Sequence, residues 1–142
     1  MTKSKQLFST ISSKGELSLS LVEVDIPRPK PHEVVIKIEA APINLSDMCP
    51  MFGPADLRTA SFADGDKTVK EPLHEGMVSR IQPRIDQTLP IGNEGAGTVV
   101  AAGDSPQAQA LMGKTVAILS GATYSEYCCV PVQACIVNNE DT

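Results

Sequence analysis

The chain has 142 residues, and 42% of them are hydrophobic, which suits a single domain with an apolar core. Its net charge of −5 and its low aromatic content of 4% make nucleic acid and anionic membrane surfaces poor partners. No apolar run reaches the roughly 20 residues that a membrane span needs. No apolar segment follows the first lysines, as it would in a secretory leader. We therefore expect a cytoplasmic protein.

The first forty residues predict strands. Residues 5–24 predict a β-hairpin, because Ser-Ser-Lys-Gly at 12–15 is typical of a turn and alternating leucines follow it. Three prolines within 25–32 indicate an extended connector. Residues 33–39 alternate between apolar and charged side chains, which predicts a half-buried strand.

The strand over 33–39 leads into Ala-Ala-Pro-Ile-Asn-Leu-Ser-Asp at 40–47. Pro42 ends regular strand pairing, and either Asn44 or Ser46 can cap a short helix over about 46–52. From the spacing alone, a cap and a turn are sufficient to explain these polar residues. A functional site is the alternative.

Residues 54–88 mix proline, glycine and charged side chains without strand alternation, so we predict a long inserted loop. Its cations could bind an anionic group of a substrate. Acidic residues of the same segment balance them, so a solvated loop is the other interpretation. The cations are Arg58, Lys67, Lys70, Arg80 and Arg84.

The run Gly-Asn-Glu-Gly-Ala-Gly at 92–97 precedes a β-branched segment and predicts a tight turn that leads into a strand. It does not fit a dinucleotide-binding fingerprint, because Val100 occupies the third glycine position and no helical pattern follows. A short helix over 107–112, capped by Ser105, and strands over 114–119, 123–130 and up to 137 complete the chain.

The cysteines lack the paired spacing of a structural zinc site, and neighbouring side chains of a strand point to opposite faces. We expect four free thiols, buried or half-buried, at positions 49, 128, 129 and 135.

Two of these segments carry a family resemblance that extends over nearly the whole chain. Residues 92–97 resemble the Gly-His-Glu-Gly-x-Gly signature of the medium-chain dehydrogenase/reductase superfamily. Residues 41–47 resemble the Gly-Val-Asn-Pro-x-Asp stretch of quinone oxidoreductases and the Ala-Pro-Ile-Asn-Pro-Ser-Asp of mitochondrial-type enoyl thioester reductases. The resemblance implies that residues 1–142 form the family's GroES-like catalytic domain, a mainly β, partly open barrel with short helices.

The resemblance also implies a zinc-independent enzyme without a metal site. Asn44 and Asn93 stand where the zinc alcohol dehydrogenases have a cysteine and a histidine ligand. A carboxamide is a poor zinc ligand beside a thiolate or an imidazole. The implied activity is hydride transfer from NADPH to a quinone or to an α,β-unsaturated carbonyl. NADPH would be held mainly by a Rossmann domain that this chain lacks, so the domain alone is expected to be inactive, and the full-length protein is expected to form a homodimer.

Matched positions suggest roles for individual residues. Asn44 and Asp47 are the candidate catalytic residues, and together with Ser46 they are the candidate contacts to the cofactor. The catalytic tyrosine of the enoyl reductases is missing, because its matched position holds Ala55. The candidate residues of the substrate cleft are Cys49, Phe52, Asn93 and Tyr124.

A second hypothesis is that the chain has no catalytic role. The missing tyrosine and the missing nucleotide-binding domain also fit a GroES-like module that serves in binding or oligomerisation. Whether the natural gene continues into a βαβ pattern would distinguish the two hypotheses.

Overall fold

The computed structural model describes residues 3–65 and 67–138. Within them the chain is mainly β, which confirms the predicted class. The helices are α1 (Leu45–Phe52) and α2 (Pro106–Gln109). The strands are β1 (Lys3–Ile11), β2 (Glu16–Asp25), β3 (Glu33–Ala40), β4 (Ser61–Ala63), β5 (Thr68–Pro72), β6 (Thr88–Pro90), β7 (Glu94–Ala102), β8 (Thr115–Leu119), β9 (Tyr127–Pro131) and β10 (Cys135–Val137). No helix of the described residues is long and apolar enough to cross a membrane.

The chain divides into two compact units. The described part of the first unit comprises residues 3–6, 23–42 and 92–138. The second unit comprises residues 7–22 and 43–91, of which residue 66 lies outside the description. Each unit has its own apolar core.

The first unit contains an antiparallel sheet of five strands in the order β10-β8-β7-β3-β9. The predicted strand over 33–39 is its β3, which pairs on both sides. A register shift against β7 between Val35 and Ile36 interrupts the alternation, and Val35 is buried as well as its neighbours. The core residues are Val34, Ile36, Val99, Ala108, Val116, Ile118, Cys128 and Val130.

The second unit is organised by residues 7–22 of the β1–β2 hairpin, and their turn is the predicted one. The Gly15 N–H donates to the Ser12 carbonyl at 3.0 Å, and Gly15 has a φ of 81°, which suits glycine. The sheet order is β4-β5-β2-β1-β6. Ile11, Leu17 and Leu19 form the buried core, and α1 packs against it through Met51 and Phe52.

Residues 54–88 differ from a structureless loop, because they include β4 and β5 and three short 3-10 turns. The strand β5 pairs with β2 over residues 68–72. The sequence Thr-Val-Lys-Glu-Pro does not predict this strand. Its buried face carries Glu71, where an alternating pattern would have an apolar side chain.

Two predicted bounds are wrong near the end of the chain. The strand predicted over 123–130 begins at Tyr127, because the Thr123 N–H bonds to the Gly92 carbonyl instead of a strand neighbour. The helix predicted over 107–112 is α2, which ends at Gln109 and continues as tight turns to Gly113. Its predicted cap is confirmed, since the Ala108 N–H donates to the Ser105 hydroxyl at 3.1 Å.

Candidate functional site

The first group of predicted site residues lies at the start of α1 in the second unit. Asn44 is the N-cap, with an extended backbone at φ −96° and ψ 161°. Its N–H donates to Asp47 Oδ2 at 2.9 Å, and the Asp47 N–H donates to the Asn44 carbonyl at 3.0 Å. Asp47 is 0% exposed. The buried carboxylate therefore fixes the backbone of Asn44, as in a reciprocal helix cap.

The sequence explains why α1 begins here. Pro42 has no N–H to donate, so pairing of β3 cannot extend through it. The start of α1 is exposed, with Leu45 at 90%, and Ser46 and Cys49 are exposed as well. The end of α1 is different, because Phe52 packs against the core of the second unit. Phe52 as a cleft residue therefore stays a prediction.

The second group lies at the glycine-rich turn in the first unit. The Asn93 carbonyl accepts the Ser120 N–H at 2.8 Å, and the Tyr124 hydroxyl donates to the Pro42 carbonyl at 3.0 Å. Tyr124 reaches the turn at Gly92, where an added Cβ would lie 2.6 Å from its ring. Asn93 and Tyr124 are therefore brought together around one turn.

Gly97 allows two strands of the first unit to approach each other closely. It lies within β7, and a Cβ on it would overlap the Lys37 carbonyl oxygen of β3. The glycine thus permits two strands to approach closely. This explains why the segment fails as a phosphate-binding turn: its glycines serve sheet packing, and a strand follows where a helix N-terminus would be needed.

The predicted site residues therefore fall into two groups, one in each unit. Asn44, Ser46, Asp47, Cys49 and Phe52 belong to the second unit, and Asn93 and Tyr124 belong to the first.

Glu71 is a buried carboxyl group that the sequence analysis missed. It lies on β5 opposite Leu17 and is 2% exposed. Its Oε2 has no hydrogen-bond partner among residues 3–65 and 67–138. Burial raises its pKa. A signal was present, because Val69, Glu71 and Leu73 share one face of an extended segment. It becomes visible only when 68–72 is recognised as a strand.

The structure also distinguishes among the cations of residues 54–88. Arg58 bonds to Asp56 at 2.8 Å and lowers the pKa of that carboxyl to about 2. The Lys70 Nζ atom lies 3.7 Å from Glu16 Oε1, which makes a second ion pair. Arg84 is half-buried, and its guanidinium donates to Ser9 Oγ at 3.0 Å and to the Gln87 carbonyl at 2.9 Å. The spacing of these residues in the sequence carries no signal that separates the three.

All four cysteines are free thiols, as predicted. Burial raises the pKa of Cys128 and of Cys135, and burial together with the nearby Glu33 carboxylate raises the pKa of Cys129 to about 11. Cys49 is exposed, contrary to the predicted burial, because it lies near the exposed start of α1. Among residues 3–65 and 67–138, no cluster of three or more His, Cys, Asp or Glu side chains could hold a metal ion. Zinc independence stays a prediction.

Comparisons with known proteins identify the relatives of this chain. No family model matches it. It is 30% identical to a zinc-type alcohol dehydrogenase-like protein of Schizosaccharomyces pombe over 86% of this chain and 30% of that protein. It is 33% identical to a chloroplastic quinone-oxidoreductase homolog of Spinacia oleracea over 77% of this chain and 26% of that protein.

A solved structure agrees with these relatives. A Mesorhizobium loti protein assigned as an NADPH:quinone reductase superposes with a TM-score of 0.62 and 28% identity, over 99% of this chain and 39% of that one. The chain is a GroES-like domain of the medium-chain dehydrogenase/reductase superfamily. The predicted GroES-like fold is thereby confirmed.

The GroES-like domain spans under a third of the length of either curated relative. One of these relatives is named as zinc-type and the other as a quinone oxidoreductase homolog, so their names do not decide whether a metal takes part. Activity, substrate and partners of the whole protein are therefore matters of proposal.

Proposed function

We propose that this chain is the substrate-binding, catalytic domain of a zinc-independent oxidoreductase that uses NADPH to reduce quinones or α,β-unsaturated carbonyls. The observation that carries the proposal is the Asn44–Asp47 pair at the start of α1, where a buried carboxylate holds an asparagine in place. The bond fixes the backbone from which the Asn44 side chain extends, and a carboxamide is a hydrogen-bond donor to oxygen and a poor zinc ligand.

Each residue has a defined task in this proposal. Asn44 donates an amide hydrogen to the oxygen of the substrate carbonyl or to the cofactor, which stabilises negative charge that develops on oxygen. Asp47 positions Asn44. Ser46 is exposed at the same helix start, where its side chain would contact the nicotinamide ribose. A bound nicotinamide cofactor supplies the hydride.

The described residues offer contacts for the nicotinamide end of that cofactor and none for its pyrophosphate. The glycines at 95 and 97 lie inside β7, so the segment offers no cradle for a pyrophosphate. Residues outside this chain would have to bind the phosphates. The proton that completes the reduction must come from a group other than Ala55, which has none to donate. The expected setting is the cytoplasm, where four free thiols stay reduced.

Calorimetric titration of the natural gene product with NADPH and NADH, together with elemental analysis for zinc, tests the proposal. Tight NADPH binding without zinc is the expected result. Binding of neither nucleotide would contradict the enzyme and favour a binding or oligomerisation module. Stoichiometric zinc would contradict the assignment of Asn44 and Asn93 as residues that replace zinc ligands.

Turnover tests the role of Asn44. Asn44→Ala is expected to lower kcat by about 10²–10³-fold, the usual cost of losing one donor to a developing oxyanion. Asn138→Ala, which changes an exposed asparagine of the first unit, is the matched control and should leave kcat unchanged. Equal activity of the two variants would show that Asn44 has no part in catalysis.

A further inference from the structure

Arg84 is a half-buried cation without a carboxylate partner in the described residues. It takes no part in the ion pairs Lys3–Asp25, Arg58–Asp56 and Lys70–Glu16. The acid nearest to it along the chain is Asp86, whose Oδ1 accepts the Ser13 N–H at 3.3 Å. A charge removed from water is costly unless an opposite charge compensates it.

The guanidinium of Arg84 is also held in a fixed orientation. Its Nη2 donates to the hydroxyl of Ser9, which is 0% exposed, and its Nη1 donates to the Gln87 carbonyl. Both acceptors are neutral, and a guanidinium has more N–H groups than these two bonds use. A planar, oriented guanidinium matches the two oxygens of a carboxylate or a phosphate.

The position of Arg84 relates it to α1. Ile85, the neighbour of Arg84, and Met51 and Phe52 of α1 pack against the same apolar core. Burial lowers the pKa of Arg84, and the Cys49 side chain acts in the opposite direction. Cys49 is exposed and belongs to the residues that the family resemblance places in the substrate cleft. An anion bound to Arg84 would therefore lie in the same unit as the predicted cleft residues of α1, beside a segment that packs on the same core.

We propose that Arg84 binds a carboxylate or phosphate group of the substrate, in the same unit as α1. That the bound anion belongs to a substrate rests on the proposed reductase function. The anion site itself rests on the positions of Arg84, Ser9 and Gln87. The site selects substrates that carry an oxyanion in addition to the quinone or unsaturated carbonyl.

Nuclear magnetic resonance of the natural gene product, labelled with ¹⁵N, tests the anion site without turnover. Sodium acetate and inorganic phosphate are the probes, and sodium chloride at equal ionic strength is the control. We expect saturable shifts of the Arg84 Nε–H signal and of the Cys49 and Ser9 amides with acetate, phosphate or both. The stronger probe identifies the oxyanion. Shifts that match those in chloride would overturn the proposal.

Variants decide whether Arg84 is responsible. Arg84→Gln should weaken the binding of the stronger probe at least tenfold, read at the Cys49 and Ser9 amides. Arg84→Lys keeps the positive charge but loses the planar pair of N–H donors of the guanidinium, so its affinity for the probe should also fall. This variant decides the question if Arg84→Gln does not fold. Arg80→Gln is the matched control, because Arg80 is an exposed arginine of the same segment. Unchanged affinity in a folded Arg84 variant would overturn the proposal.

Turnover separates this proposal from the proposed function. For an enone that carries a carboxylate, Arg84→Gln should raise KM at least tenfold at unchanged kcat, and for the methyl ester of the same enone it should change neither. Anion binding without any reduction would sustain the site and contradict the reductase. Reduction with the same KM for acid and ester in both proteins would sustain the reductase and contradict the site.

Discussion

Gly92 and Thr123 meet so closely that the first cannot carry a side chain. The Thr123 N–H donates to the Gly92 carbonyl at 3.2 Å, and Gly92 has a φ of 97°. A Cβ on Gly92 would overlap the Thr123 hydroxyl and lie 2.6 Å from the backbone nitrogen of Tyr124. Both the backbone conformation and the lack of space therefore require glycine at the turn that bears Asn93.

Replacement of this glycine should destabilise the fold. We expect Gly92→Ala to lower the free energy of unfolding by about 3 kcal/mol, because backbone strain and steric overlap add. Gly121→Ala is the control, since nothing lies within 4 Å of a Cβ at that position. Urea denaturation measures both. A loss of stability as small as that of Gly121→Ala would show that the turn at Gly92 relaxes without cost.

The buried carboxyl of Glu71 should make stability depend on pH. Its pKa in the folded chain is raised above the ordinary value of 4.5 because burial disfavours the charged form. The folded state therefore holds its proton more tightly than the unfolded state. Stability attributable to Glu71 is highest below pH 4.5, decreases as the pH rises to the folded-state pKa, and is constant above it.

Glu71→Gln removes this titration. At neutral pH we expect the variant to be more stable than the parent by about 1–2 kcal/mol, because no charge is buried, and we expect the difference to disappear below pH 4.5. Glu75→Gln, in an exposed position of the same unit, should change stability little at either pH. Denaturation curves at pH 4 and pH 7.5 make the comparison. A pH-independent difference between Glu71→Gln and the parent would contradict the prediction.

The carboxylate of Asp47 should hold the start of α1. Asp47→Ala removes the acceptor of the Asn44 N–H and leaves a backbone donor without a partner. We expect the free energy of unfolding to fall by about 1–2 kcal/mol, typical of a lost helix cap. Asp104→Ala changes an exposed aspartate of the other unit and should have little effect. Equal stability of the two variants would mean that Asp47 does not anchor the helix.

The four thiols should differ in reactivity. Cys49 is exposed, whereas Cys128 is buried and the pKa of Cys129 is raised to about 11. Because the thiolate is the reactive form, iodoacetamide at pH 7.5 should modify Cys49 first. Peptide mapping by mass spectrometry over time measures the order, and Cys49→Ser should remove the fast phase. Modification of Cys129 as fast as Cys49 would contradict the burial seen in the structure.

Elements that depend on residues close together in sequence could be predicted from the sequence alone. The turn at Gly15, the strand over 33–39 and the helix that begins after Asn44 depend on hydrogen bonds and side-chain alternation within a few residues, so the sequence predicted them closely. The family resemblance, which rests on short motifs, predicted the GroES-like fold. The segment 123–126 was misread because its partner, Gly92, is distant in sequence.

The sequence by itself determined the β class, the hairpin, a helix cap at either Asn44 or Ser46, and the free thiols. The structure decided that Asn44 is the cap. Only the tertiary structure decided that Glu71 is buried and that Arg84, rather than Arg58 or Lys70, lacks a carboxylate partner among the described residues. The reason is physical. The burial of Glu71 and the Lys70–Glu16 ion pair depend on which strands lie side by side, and β5 pairs with β2 across a separation of about fifty residues. Nothing in the spacing of the charged residues records that pairing.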